Sequence, residues 1–195
     1  MTQPKARFPE QPEAEMPQEG RELFARIRSF SLNGIGGPFG LLLRTPELGS
    51  IVLDLGERLR FDTGIDERLL ELAIMTHAAA WHDLYEWRIH HARALRNGVS
   101  CEVLEALGRG TEPPLTSDDE RAVYAFARAV SRGRSLDEAT FAEAVAVLGE
   151  DRVATLAVLL GQYAMLSTIL CVARPALPEA SAPDPEFPVP DAEEM

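Results

Sequence analysis

The chain has 195 residues, 46% of them hydrophobic, and a formal net charge of −12. This length and apolar content fit one core-forming domain with tails and exclude a wholly disordered chain. So acidic a balance excludes the basic face that nucleic acid or an anionic membrane surface requires, and two distant cysteines, Cys101 and Cys171, exclude a disulfide framework and a structural zinc site. Free cysteines of this kind point to a reducing cytoplasm.

Residues 1–18 read as a flexible arm, polar and proline-bearing, without the apolar stretch of a secretory leader. A helical body is expected over 19–174. Residues 21–30 are amphipathic. The run GIGGPFG then breaks the chain before a short helical turn at 41–44. Pro46 suits the first turn of the next helix, to which Leu48, Ile51, Val52, Leu55 and Leu59 give one apolar stripe. Asp66 is placed to cap a helix whose buried face is Leu69, Leu70, Ala73, Ile74 and Ala78, with Glu71 flanked by leucines and partly buried.

The next stretch, WHDLYEWRIHHARALRNG (81–98), holds three of the four histidines, two carboxylates and the arginines Arg88, Arg93 and Arg96. Asp83 followed three residues later by Glu86 is a capping-box pattern, so a new helix is expected to start there after a break. Its free N–H groups form a dock suited to a substrate carboxylate. Asn97-Gly98 is a C-terminal stop. Ser100 caps a short helix to Leu107, and Ser117-Asp-Asp-Glu120 is a capping box for a helix to about Val130. Helices over 137–148 and 151–173 close the body.

The apolar run 153–172 approaches the length of a membrane span. Thr155, Gly161, Gln162, Ser167 and Thr168 interrupt it, so a core or interface helix is the better reading. The segment 175–195 holds six prolines and six acidic residues. It is expected to be disordered or extended, since proline denies it helix and ladder bonds.

Glu86 and His90 are neighbours at i,i+4. A carboxylate beside an imidazole is the usual equipment for proton transfer near neutral pH; the same spacing also occurs as a plain surface pair of little energetic consequence. His82, Glu86 and His90 share a four-residue spacing that could ligate a metal but is not specific to one, and a helix starting at Asp83 leaves His82 off that face, so no metal is assigned. His91 lies about 100° round the helix from His90, towards solvent or a neighbouring subunit. Tyr85 and Trp87 read as core or interface aromatics, and the two cysteines as small packing residues.

The segments TGIDERLLELAIM, YEWRIHHARALRNGVSCEVLEAL and LLGQYAML, in this order, resemble the carboxymuconolactone decarboxylase family, which shares the fold of alkylhydroperoxidase D. The resemblance runs from about Gly37 to Ala173. It implies an all-α, alkylhydroperoxidase D-like helical domain that assembles into homotrimers or homohexamers. In the peroxidase branch, two cysteines and a histidine follow a glutamate in a fixed pattern. Matching that histidine to His90 places Asp83 and Glu86 at the cysteine positions and Glu71 at the upstream glutamate. Thiol-based peroxide reduction has no attacking or resolving thiolate there. The chain departs from the family at Gln162-Tyr163, where His-Tyr or Tyr-Tyr is common, at Cys171, where Asn is common, and in its acidic tail.

What the resemblance implies is a cofactor-independent lyase that decarboxylates a small lactone or cyclic acid by acid–base chemistry. Glu71, Glu86 and His90 are its expected catalytic residues. Glu86 is the proton donor, Glu71 sets its protonation and His90 holds or exchanges the proton. His82, Asp83 and Tyr163 are the expected substrate contacts. An isomerase or dehydratase using the same residues, or a non-catalytic helical oligomer binding a small molecule, are the alternatives.

Overall fold

The computed structural model describes residues 6–8, 11–30, 36–133 and 135–188. The parts of the two tails at 1–5, 9–10 and 189–195 lie outside them, as do 31–35 and 134. Among the described residues the regular structure is all helical, without a strand. After a single 3-10 turn at Glu13–Glu15 come α1 (Gln18–Phe30), α2 (Phe39–Leu42), α3 (Pro46–Phe61), α4 (Glu67–Ala80), α5 (Leu84–Arg96), α6 (Cys101–Gly108), α7 (Asp118–Gly133), α8 (Glu138–Leu148) and α9 (Glu150–Ala173).

The body expected as one domain divides into two compact units, one of residues 1–63 with 161–179 and one of 64–160 with 180–195. The boundary falls inside α9, so that helix supplies residues to both. In the first unit α1 and α2 pack on α3. Met16, Leu23, Ile27, Leu43 and Leu53 form its core, with Phe24 and Phe39 against it. Gln162 of α9 donates from Nε2 to the Val52 carbonyl at 3.2 Å.

The apolar stripe of α3 differs from the expected one. Gly49, Leu53 and Leu59 face inward, whereas Leu48 and Ile51 are exposed. Gly49 decides this orientation. A Cβ there would lie 2.5 Å from Leu23 Cδ2 and 2.9 Å from the Leu42 carbonyl oxygen, so the absent side chain sets how closely α3 approaches. A backbone oxygen cannot swing aside. Gly49→Ala is therefore expected to destabilise the chain by about 2 kcal/mol, despite the better helix propensity of Ala. The shift in urea midpoint reads this directly.

In the second unit α4 is central, packing on α5, α6 and α7, while α8 packs on α7. Leu69 through Ala78 of α4 are all buried, which extends the expected inner face to the whole circumference. The capping signals act as written. Asp66 accepts from Arg68 N at 2.8 Å and Ser100 from Val103 N at 3.3 Å; Asp137, expected only as the first residue of its helix, is its cap instead, accepting from Thr140 N at 2.9 Å. Ser117 and Glu120 exchange bonds across the first turn of α7. Arg68 ties α4 to α7 through Glu120, and through Asp119 at 3.3 Å.

α9 is long and apolar enough to cross a membrane by length and composition alone. Within the fold Val153, Leu156, Leu159, Leu160, Tyr163, Leu170 and Ala173 are buried, at the spacing of one helical stripe. Both cysteines, expected to pack inside, are exposed. Cys101 opens α6 beside its Ser100 cap, in the first turn and outside the buried set of Val103, Leu104, Ala106, Leu107 and Gly108.

Candidate acid–base site

The site depends on a break between α4 and α5. α4 stops at Ala80 because the chain turns left-handed at His82, whose φ is 52°. The Asp83 N–H then reaches back to the Ala78 carbonyl at 2.9 Å and the His82 N–H to that of Ala79 at 3.3 Å. This pair of bonds is a Schellman closure, here with His where Gly is usual. Asp83 begins the next helix at once, its Oδ1 accepting from Glu86 N at 3.1 Å. Residues fifteen apart on one straight helix would be displaced by about 22 Å along its axis. The break at 81–83 brings Glu71 of α4 and Glu86 of α5 to the same imidazole.

That imidazole is His90. Its Nδ1 lies 2.8 Å from Glu71 Oε2, and its Nε2 lies 3.6 Å from Glu86 Oε2. The first is a hydrogen bond; the second is close enough for charge coupling but longer than a bond. All three residues are buried, at 8% exposure for Glu71, 5% for Glu86 and 3% for His90. With Glu71 ionised, Nδ1–H donates to it, which turns Nε2 towards Glu86 as a lone pair or, when protonated, as a donor. Both ring nitrogens thus face carboxylates.

Burial pushes the Glu86 carboxyl up to about 7. The neighbouring His90 opposes this rise, and Asp83 and Glu71 add to it. Burial, with Glu86 and Asp83 nearby, likewise pushes the Tyr85 hydroxyl up to about 12, so it stays a neutral donor. The arrangement therefore has one carboxyl poised to hold a proton at neutral pH and an imidazole beside it able to exchange one.

The expected substrate contacts have different surroundings. Asp83 itself occupies the start of α5, so the anion dock expected there is filled by the chain's own carboxylate. Its second oxygen, Oδ2, is buried without a hydrogen-bond partner. The His82 ring stacks on Phe187, with centroids 5.3 Å apart. Tyr163 is buried in α9 and belongs to the first unit. His91 is half-buried rather than solvated, its ring 6.0 Å from that of Trp87, and burial lowers its pKa.

A further buried group carried no spacing signal. His77, in the middle of α4, meets Ser131 Oγ of α7 through Nδ1 at 3.0 Å, and Trp81 Nε1 donates to the Ser131 carbonyl at 3.0 Å. Burial pushes His77 down to about 4, so it is neutral, and its Nε2 has no partner. A histidine flanked by Thr76 and alanines was its only trace in the sequence.

Solved structures share this fold. A peroxidase-related protein with the alkylhydroperoxidase AhpD core, from Ralstonia eutropha JMP134, superposes with a TM-score of 0.71 at 16% identity, over 90% of this chain and 94% of its own. The debrominase Bmp8, as a cysteine-to-alanine variant bound to 2,3,4-tribromopyrrole, gives 0.73 at 18% identity, over 91% and 94%. A protein from Agrobacterium tumefaciens described as a putative antioxidant defence protein AhpD gives 0.64 at 17% identity, over 71% and 96%. At these identities the likeness is one of fold. No curated protein matches the chain in sequence. Residues 46–129, which carry α3 to α6 and most of α7 with Glu71, Glu86 and His90, match the model of the carboxymuconolactone decarboxylase family, and over that stretch the chain is similar to the family, with Asp83 and Glu86 rather than a cysteine pair at the site.

Proposed function

We propose that this protein is a cofactor-independent carbon–carbon lyase that decarboxylates a small lactone or cyclic acid. The observation that carries the reading is the buried imidazole of His90 held between Glu71 and Glu86 from two helices. Loss of carbon dioxide breaks the bond from ring carbon to carboxylate and leaves the electron pair delocalised into a conjugated carbonyl. Glu86 then gives its proton to carbon and becomes a carboxylate. The His90 imidazolium then passes its Nε2 proton to Glu86 and takes a replacement proton from solvent as product leaves, while Glu71 holds the Nδ1–H and steadies the imidazolium. A Glu86 pKa near 7 keeps roughly half of the enzyme charged with that proton at neutral pH.

Asp83 Oδ2, buried beside Glu86 and without a partner, is suited to accept from a substrate hydroxyl or from the protonated form of an acid. Tyr85 is suited to donate to the lactone carbonyl. His82 remains a proposed substrate contact in this reading, with Phe187 still stacked on its ring. That a debrominase of this fold binds a halogenated pyrrole supports a small planar ring as the ligand class. Enclosure of the cluster favours an enzyme over a passive binding protein, and the absence of thiols at positions 83 and 86 disfavours peroxide reduction. Isomerisation or dehydration of a related ring would use the same proton transfers. A panel of carboxylated lactones, with carbon dioxide release as readout, tests the assignment.

The reading includes a cytoplasmic homotrimer or homohexamer. Leu48, Ile51 and Phe61 of α3 are exposed at 61–70%, and Val158 and Val172 of α9 at 48% and 44%. Apolar side chains of this size in such number suit an interface between copies. Light scattering at micromolar concentration is expected to give three or six copies; a well-folded monomer would count against the assembly.

A further inference from the structure

The acidic tail does not only trail from the body. Residues 175–188 carry no helix or strand, yet 184–188, Asp-Pro-Glu-Phe-Pro, make paired contacts with the start of α5 and the end of α6. Arg88 grips Asp184 with two bonds, Nε to Oδ1 at 2.7 Å and Nη2 to Oδ2 at 2.5 Å. This is the fork geometry that only a guanidinium offers a carboxylate. Phe187 stacks on the His82 ring at 5.3 Å and presents an edge to Trp87 at 5.5 Å.

The receiving surface is cut to fit. A Cβ on Gly108 would lie 2.9 Å from Pro185 Cβ, and one on Gly110 would lie 2.8 Å from Pro188 Cγ. Both prolines therefore sit where the chain has no side chain. Proline also lowers the conformational entropy lost when the segment docks. Charge, ring and shape complementarity coincide on this one short segment.

The residue under Phe187 is the one that breaks the helix. His82 is a non-glycine held at φ 52°, a conformation that L side chains adopt at a cost. Its turn is what directs α5 so that His90 meets Glu71. We propose that segment 184–188 is a docked strap that clamps the His82 turn and so keeps Glu71, Glu86 and His90 convergent, making the tail a regulatory element of the site. When the strap leaves, the ring of His82 is exposed, the turn loosens and the three groups separate. The effect on turnover rests on the acid–base reading above; the clamping of the turn does not.

The test is hydrogen exchange on the full chain and on two full-length variants, Arg88→Gln and Asp184→Asn/Phe187→Ala. The informative amides are those of His82, Asp83, Glu86 and Trp87, each bonded within the turn or its cap. Their exchange is expected to quicken roughly tenfold in the double variant, from loss of a fork-bound ion pair and a ring contact, and by a smaller factor in Arg88→Gln. The amides of α7 are expected to keep their rates. Unchanged exchange at 82–87, or quickening shared equally by α7, would overturn the strap. These readouts need no substrate, so failure of the lyase assignment leaves them standing, and their failure leaves the lyase assignment standing.

Discussion

Glu86→Gln is expected to reduce turnover by on the order of a hundredfold or more and to leave the helical fold intact. Gln matches Glu in size and keeps an amide that satisfies the same surroundings, but it cannot give up a proton at any working pH. In the cluster Glu86 is the carboxyl that burial holds near 7, so it is the group whose proton is available on demand. His90→Ala is expected to cost a similar factor by a different route. It removes the group placed to reload Glu86, and it leaves Glu71 buried without the Nδ1 donor it now has at 2.8 Å. His90→Ala should therefore lose stability as well as rate, whereas Glu86→Gln should lose rate alone. Steady-state kinetics with paired urea melts at pH 4.5 separate the two. Near-normal turnover in both variants would reduce the Glu86–His90 spacing to a structural pair.

The second large effect concerns stability against pH. The Glu86 carboxyl titrates near 7 when folded and near 4.5 as a free side chain. Between those values the folded chain keeps a proton that the unfolded chain has released. Stability contributed by this group therefore falls as pH rises from 4.5 to 7, by about 3 kcal/mol in all. His77 acts oppositely. It titrates near 4 when folded against 6.5 free, so its share falls as pH drops through that window. The two slopes mask one another in the wild-type chain. They separate in the difference between wild type and Glu86→Gln, where the His77 contribution cancels. Glu86→Gln is expected to gain on wild type by about 3 kcal/mol between pH 4.5 and roughly pH 8. Urea unfolding across that range checks it, and a difference that stays flat would show that Glu86 titrates as an ordinary carboxylate.

The helices were legible because their ends are written in local chemistry. Asp66, Asp83, Ser100 and Ser117 each cap the helix that the sequence assigned to them. The break at Asp83 was legible for the same reason, and with it the meeting of Glu71, Glu86 and His90. The inward face of α3 was not, because its apolar residues surround the helix and only a contact from elsewhere in the chain, at Gly49, selects one side. The left-handed turn at His82 carried no signal either, since Gly or Asn is the usual mark of such a position. The strap was hidden by composition: proline and acidic residues read as tail, and what seats them is Arg88 with two glycines, all far earlier in the chain. His77 and Ser131 were silent for want of a spacing, being partners across two helices 54 residues apart.

The most direct test of the account follows the substrate's own carboxylate. A small lactone acid labelled with heavy carbon at the carboxyl is incubated with the wild-type chain and, in parallel, with Glu86→Gln. The wild-type chain is expected to move the label into carbon dioxide and bicarbonate, and the variant to do so on the order of a hundredfold more slowly. Label retained in an isomerised or dehydrated ring, or released equally fast by both proteins, would contradict it.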